Sequence, residues 1–452
     1  MDSTRNTASD IATAIAAAPA LDGVLALGLD VGTTSLSAVV TNGERSAAFS
    51  IPNGCDLPAG GARRTQDADA IVERLSALAD ALIGRYPAIE AIGVDGQMHG
   101  ILYVDRTGRA ISPLATWQDA RADEPIDGGA SACERILAAT GRRVFAGYGL
   151  ATHYYNLKCG LIPDGAAKLC TIGDYVAMRL AGRAKPLIHQ TNAASLGLFD
   201  VRSGRFDEAA IASLGIDGAI LPDVTATVSP VGAYRGRAVF CAVGDNQAAY
   251  FGVMRSGGVL CNFGTGSQVS VAVDEVREGA GVECRPYFGG RYLLSGSALC
   301  GGRAFAALER FFRAYVGTGE AQYRRLEELA ETGYAELASG EGSLAVDTRF
   351  CGTRDDPSVR GAITGLTEDN FTPEALTVGV LRGMVDELYG YYRAMALPRP
   401  ERVVASGNGA RRNPVLVRLV GDIFGAPVSL SDVAEEAATG AALLALQGEA
   451  RK

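Results

Sequence analysis

The chain has only three histidines and one tryptophan in 452 residues, and none of its nine cysteines forms a C-x-x-C pair. His99, His153 and His189, with no H-E-x-x-H, leave little material for a histidine-based metal centre or a nucleophile–histidine triad. Cysteines dispersed from Cys55 to Cys351 read as reduced core residues, not as a disulfide or zinc framework. No G-x-x-x-x-G-K-[ST] occurs, which excludes a P-loop in its usual form. The lack of G-x-G-x-x-G weakens a dinucleotide reading, and the lack of G-x-S-x-G leaves a hydrolase elbow unsupported. No apolar run approaches the roughly 18 residues needed to span a bilayer. The Ala-rich stretch Ile11–Leu21 follows Asp2, Asp10 and a single basic residue, Arg5. It reads as a frayed or weakly helical extension, poorly ordered over residues 1–22, and not as a secretion signal. A cytoplasmic protein is expected. Lys and Arg form no cluster, and 42 basic against 51 acidic side chains leave a net charge of −9. That balance argues against nucleic-acid and anionic-membrane partners. A phosphate ligand, if there is one, must be held without a general excess of positive charge.

What is present is ordinary globular composition, 48% apolar and 21% charged, at a length that predicts two or three domains. Val24–Asp30 is a short apolar run ending in a carboxylate. Gly32-Thr33-Thr34-Ser35 supplies a turn, and Leu36–Val40 alternates as a second strand. The same layout recurs 232 residues later, with Gly258–Phe263, the turn Gly264-Thr265-Gly266-Ser267, and Gln268–Val273. Two hydroxyl- and glycine-rich hairpins at a half-chain offset suggest a duplicated domain with paired phosphate-facing turns. Between and after them the spacing predicts helices over 67–83, 302–315, 375–395 and from Pro414. It predicts strands over 89–94, 239–243 and 402–405. Such alternation implies an α/β architecture with mixed sheets. The turn residues of Pro230–Arg237 place the break between the halves, giving domains over 23–234 and 235–452.

The turns and carboxylates carry the chemistry. Consecutive N–H groups with small residues form anion-binding concavities, and hydroxyls add neutral donors. Gly32–Ser35 and Gly264–Ser267 qualify, and Gly407-Asn408-Gly409-Ala410 sits at a strand-to-helix junction. Any one of these alone reads more readily as a tight turn; three together reverse that preference. Asp30 closes the first strand. Asp245, in Gly244-Asp245-Asn246-Gln247, is either a helix cap or a general base facing an alcohol. Asp30 suits a metal, directly or through water. Gly96-Gln97-Met98-His99-Gly100 and Trp117-Gln118-Asp119-Ala120-Arg121 place donors and acceptors at a strand end beside an aromatic, as a polyol site requires. Core packing and a surface ion pair explain the same residues about as well.

Taken in order and spacing, Leu27–Ser35, Gly244–Ala249, Gly264–Ser267 and Gly407–Asn413 resemble the FGGY carbohydrate kinases. The resemblance runs from about Val24 to the Glu436–Ala442 segment. It implies two ribonuclease-H-like, actin- or hexokinase-type domains flanking a catalytic cleft, the first for sugar and the second for nucleotide. Gly96–Gly100 is similar to the Gln-Met-His segment of the ketose kinases, where glycerol kinases have Arg-Glu. Thr116–Arg121, Gly147–Thr152, Thr171–Tyr175 and Asn192–Phe199 resemble the sedoheptulose-phosphorylating subgroup. Two departures stand out: Gly173 replaces an expected His, and Asn246 replaces a Leu of the animal members. By resemblance Asp245 is the catalytic base, with Asp30 and Asp245 nearest a Mg²⁺ ion. Thr33, Thr34, Ser35, Gly264 and Thr265 face the ATP phosphates. Gly301, Gly302, Gly407, Asn408, Gly409 and Asn413 line the adenosine site, and Gln97, Met98, His99, Asp119, Arg121 and Asn246 surround the sugar. The activity so implied is ATP-dependent phosphorylation of a ketose, sedoheptulose first and a xylulokinase- or ribulokinase-type substrate as the alternative. An actin- or Hsp70-like ATPase is the alternative from another class. Implied partners are the sugar and ATP, with a homodimer the oligomer to test.

Overall fold

The computed structural model describes residues 8–255, 257–338 and 344–449. Its principal elements in the first half are α1 (Ala8–Ala17), β1 (Leu25–Val31), β2 (Ser35–Thr41), β3 (Ser46–Pro52), α2 (Ala68–Arg85), β4 (Ile89–Gly96), α3 (Ile172–Leu180), β5 (Pro230–Tyr234), β6 (Arg237–Phe240), β7 (Val243–Gly244) and α4 (Asp245–Val253). Then come β8 (Val259–Phe263), β9 (Ser267–Val273), β10 (Val282–Pro286), β11 (Tyr292–Ala298), α5 (Gly301–Val316), α6 (Pro373–Ala394), β12 (Val403–Ser406), α7 (Pro414–Phe424), β13 (Val428–Leu430) and α8 (Glu436–Glu449). The chain divides into two compact units. One runs up to Gly252 and includes Pro286–Gly290 and everything from Val433 onward; the other comprises Val253–Arg285 and Arg291–Asp432.

The first unit is built on a seven-stranded sheet ordered β5-β6-β4-β1-β2-β3, with β7 also pairing β4. β1, β6 and β7 all run parallel to β4, while β2 runs antiparallel to β1 and β3 antiparallel to β2. β1 is buried over almost its whole length, which is why it reads as an unbroken apolar run and not as an alternating one. Helix α2 lays Ile71, Leu75, Leu78 and Leu82 into the core, each worth about 1.5–3 kcal/mol of burial. Asp67 caps it by accepting the Ala70 N–H. On the other face α8 approaches the sheet so closely that a Cβ on Gly28 would stand 1.8 Å from the Ala438 carbonyl oxygen. One on Gly93 would stand 2.0 Å from that of Ala441. Only glycine admits that approach.

Three expectations need correction here. The N-terminal stretch is not loose from residue 8 onward: α1 packs on α2 and β3, Ile15 and Leu21 are buried, and Arg85 and Tyr86 donate to the carbonyls of Ala18 and Pro19. Residues 1–7 lie outside the described residues. The division falls after Gly252 and not between 234 and 235, because the hairpin β5–β6 and strand β7 complete the first sheet beside β4. For the same reason of packing, α8 belongs with the first unit although it closes the chain. The strand expected over 239–243 is broken at Cys241–Ala242 into β6 and β7.

The second unit holds a six-stranded sheet ordered β10-β11-β9-β8-β12-β13. Here β8 pairs antiparallel with β9 and parallel with β12, as β1 does with β2 and β4, so the repeated hairpin is a repeated sheet layout. Its core is closed by α6, which carries Pro373 in its first turn and Thr372 as cap, and by α7, which ends on the left-handed Gly425.

Candidate functional site

The parallel strands β1, β4 and β7 end together. Register puts Asp30 opposite Asp95, and Val243 opposite Asp95 on the other side, so Asp245, the first residue of α4, follows directly on β7. Three carboxylates therefore gather at the carboxyl ends of adjacent parallel strands, where open α/β sheets place ligands. Asp95 was not among the expected site residues. Asp30 is pushed up to about 7, first by burial and then by the like charges of Asp245 and Glu435, with its contact to Asp95 pulling it partly back. Asp95 lies well above the usual carboxylate range, again first through burial and then through Asp30. No hydrogen-bond donor meets either of its oxygens; its polar neighbour is the Asp30 carboxyl, itself an acidic group. All the charges named around these two groups are acidic, an environment that suits a cation. Among the described residues no three His, Cys, Asp or Glu side chains form a cluster able to hold an ion by themselves.

The turn after β1 is held in shape by side chains. Asn53 donates through its side-chain amide to the Gly32 carbonyl and through its backbone N–H to the Thr34 carbonyl. Gln66 donates to the Thr33 carbonyl, and Gln97 donates to Gln66. The Thr33 hydroxyl donates to Gln97 at 3.2 Å and accepts from the Trp117 indole at 2.9 Å. Trp117 is 46% exposed, so it presents an open aromatic face beside Thr33. Gln66 was not expected among the site residues, and Trp117 was expected only as the aromatic beside the polyol-binding groups. The single tryptophan followed by Gln-Asp was the signal for the second. Thr34 is exposed, and Ser35 opens β2.

His99 sits in the left-handed region at φ 75°. Its amide donates to the Ser195 hydroxyl, and its Nδ1 lies 2.7 Å from the Ser195 carbonyl, which only accepts. Nδ1 therefore carries the proton, and in the neutral ring Nε2 is the acceptor. The ring stacks on Tyr148 at 4.5 Å between centroids. A non-glycine residue held this way by its surroundings is where site strain is found. Met98 is buried, its thioether packed where a Cβ on Gly244 would come within 2.9 Å, so it supports the strand before Asp245. Asp245 accepts the Asn246 amide at 2.6 Å, and both residues are only partly buried.

Asp119 and Arg121 pair with each other. Asp119 is fully buried and accepts four bonds: from Arg121 Nε and Nη2 at 2.8 Å each, from the Arg121 amide at 3.1 Å and from the Arg64 amide at 3.0 Å. Arg121 also donates to Asn156. The pair is an internal clamp, and Arg121 opens onto a separate cavity of about 370 Å³ lined by Thr65, Tyr103 and Asn156 among others. Gly173, where a larger residue was expected, is buried in α3 with room for a Cβ only 3.2 Å from that of Ala242.

In the second unit the expected nucleotide segments converge on the ends of the parallel pair β8 and β12. The Gly264–Ser267 turn closes on itself through Gly264 N–H to Gly266 O, and α5 docks on it through Gly302 N–H to Gly264 O and Arg303 N–H to Thr265 O. A Cβ on Gly301 would stand 2.1 Å from the Ser267 hydroxyl. Gly407 and Gly409 lie on Phe263 at the end of β8, and Asn413 caps α7 by accepting the Leu416 amide. Thr265 and Asn408 are exposed. The buried Ser267 hydroxyl and the Asn413 Nδ2 have no partner, which fits a polar ligand here.

Two family descriptions match the chain: the N-terminal domain of the FGGY family of carbohydrate kinases over residues 25–252, and its C-terminal domain over residues 259–448. The chain belongs to this family and is a carbohydrate kinase. Among its relatives, the sedoheptulokinase of Mus musculus is 29% identical over 93% of this chain and 97% of its own. The apulose kinase of Pectobacterium atrosepticum is 26% identical over 92% of this chain and 88% of its own. A gluconate kinase structure from Lactobacillus acidophilus superposes with a TM-score of 0.80 at 20% identity, covering 95% of this chain and 90% of that one, which shows the two-domain α/β fold. Among the described residues no helix is long and apolar enough to cross a membrane.

Proposed function

We propose that the chain transfers the γ-phosphate of ATP to the terminal hydroxyl of a ketose, sedoheptulose, giving sedoheptulose 7-phosphate. The observation that carries this reading is the gathering of Asp245 with the Gln97–His99 segment at the ends of β4 and β7. The sedoheptulokinase relatives, similar over nearly the whole chain, favour the sugar. Asp245 accepts the hydroxyl proton as the oxygen attacks. His99, oriented by Ser195 and Tyr148, offers Nε2 to a sugar hydroxyl, and Asn246 adds a second polar group beside the base. Trp117 gives the sugar ring an apolar face. Thr33, Thr34, Ser35, Gly264 and Thr265 hold phosphate oxygens through backbone N–H and hydroxyl groups, while Gly301, Gly302, Gly407–Gly409 and Asn413 receive the adenosine. A bound Mg²⁺, held by Asp30 and Asp245 directly or through water, would neutralise the phosphates. With ATP as donor, a cytoplasmic location follows. Asn246 beside the base favours a second reading, a xylulokinase- or ribulokinase-type substrate. A panel of free ketoses and polyols with coupled ADP detection decides between them: sedoheptulose ranks first on this reading, and sedoheptulose well below xylulose overturns it.

A further inference from the structure

Asp95 is a fully buried carboxyl group whose oxygens meet no donor, its polar neighbour being the acid Asp30. Such a group costs several kcal/mol unless something meets its charge, so its presence calls for a partner. Position says where that partner would sit. Asp95 and Asp30 are register neighbours on parallel strands, and side chains of register neighbours share a face. Two residues earlier on each strand, Gly93 and Gly28 press against the α8 backbone, and Ala26 and Ala91 join Ala442 and Ala445 in one cluster. Strand and helix therefore run in opposite senses, and Asp30 and Asp95 come out at the N-terminal end of α8. Just ahead of that end lies Glu435, itself held at φ 46°. The charged groups acting on Asp95 are Asp30, Asp245 and Glu435, and those acting on Asp30 are Asp245 and Glu435. The protein supplies no counter-charge among them.

We propose that Asp95 is a second carboxylate ligand beside Asp30 for a divalent cation, so that the protein holds the ion before nucleotide arrives. Mg²⁺ commonly takes one or two carboxylates and keeps water or phosphate in its remaining positions, which two acids on adjacent strands satisfy without a third protein ligand. This deepens the kinase reading, since the same ion would later meet the phosphates, but its test needs neither sugar nor nucleotide.

The test titrates the nucleotide-free protein with Mn²⁺ alone, read by electron paramagnetic resonance, with Mg²⁺ as competitor and thermal unfolding in parallel. The wild type binds one Mn²⁺ per chain, displaced by Mg²⁺, and its unfolding temperature rises with the metal. Asp95→Asn weakens Mn²⁺ binding by at least the ~10- to 100-fold that loss of even an outer partner of a metal site costs. In the metal-free state that variant unfolds no earlier than wild type, because a neutral amide replaces a buried acid beside Asp30. Asp95→Ser repeats the measurement should the amide fold poorly. Unchanged Mn²⁺ affinity in either folded variant, or no Mn²⁺ binding by wild type without nucleotide, overturns the proposal. A chain that binds Mn²⁺ through Asp95 but phosphorylates no sugar would instead overturn the kinase reading and leave the ion site standing.

Discussion

Replacing Asp119 by Asn distinguishes a clamp from a sugar ligand. Asp119 has no exposed surface, and its two oxygens accept four bonds, two of them a bidentate pair with the Arg121 guanidinium. The amide keeps the shape but leaves Arg121, whose side chain is 10% exposed, with its charge buried and uncompensated. Breaking a buried ion pair from one side costs about 3–5 kcal/mol. At roughly 2–4 °C per kcal/mol for a unit of this size, that lowers the unfolding temperature by about 10 °C. Fluorescence-monitored thermal unfolding measures the loss, and steady-state assays well below the transition measure the sugar KM. The clamp assignment expects a large drop in unfolding temperature with the sugar KM within a few-fold of wild type. An unfolding temperature within 1–2 °C of wild type, combined with a KM raised ~100-fold, would refute it and return Asp119 to the sugar.

Two further outcomes follow from the same reasoning. Gly301→Ala forces a Cβ toward the Ser267 hydroxyl and the Gly266 backbone, so ADP binding measured by calorimetry weakens about 10-fold or more while sugar affinity stays near wild type; equal loss of both would contradict the division of roles. Asp174, fully buried in α3, is lifted from 3.8 to about 7 by burial, against the opposing hydrogen bonds of Thr171 and Asn192. Its folded value lies above its unfolded one, so the stability it contributes is complete below about pH 4 and is lost as the pH rises through about 7, by as much as about 4 kcal/mol. Urea unfolding at pH 5 and pH 8 should show a smaller loss in Asp174→Asn than in wild type, and parallel pH profiles would contradict the assignment.

Local pattern carried much of the fold. The two hairpins were legible because a strand, a Gly/Thr/Ser turn and a second strand leave their mark within about 15 residues, and α2 because its apolar residues recur every three or four positions. What escaped depends on long-range register. Asp95 after an apolar run looks like any turn residue; only its pairing opposite Asp30 makes it part of a site. Asp119 and Arg121 looked like ligands because they are polar and follow a tryptophan, while their burial is set by Arg64 and Asn156, far away in sequence. The placement of α8 in the first unit depends on Gly28 and Gly93 meeting Ala438 and Ala441 across more than 300 residues of chain, a match no local window contains. Gln66 lay inside an unremarkable Thr-Gln-Asp stretch, and only its bonds to Thr33 and Gln97 give it a role.

The most direct test of the central claim is the Asp245→Asn variant, assayed for sugar-dependent ADP release and separately for nucleotide binding. The account predicts that phosphorylation of the preferred ketose falls at least ~10²-fold, the lower range for loss of a general base, while ADP binds as it does to wild type. Full activity in that variant would contradict it.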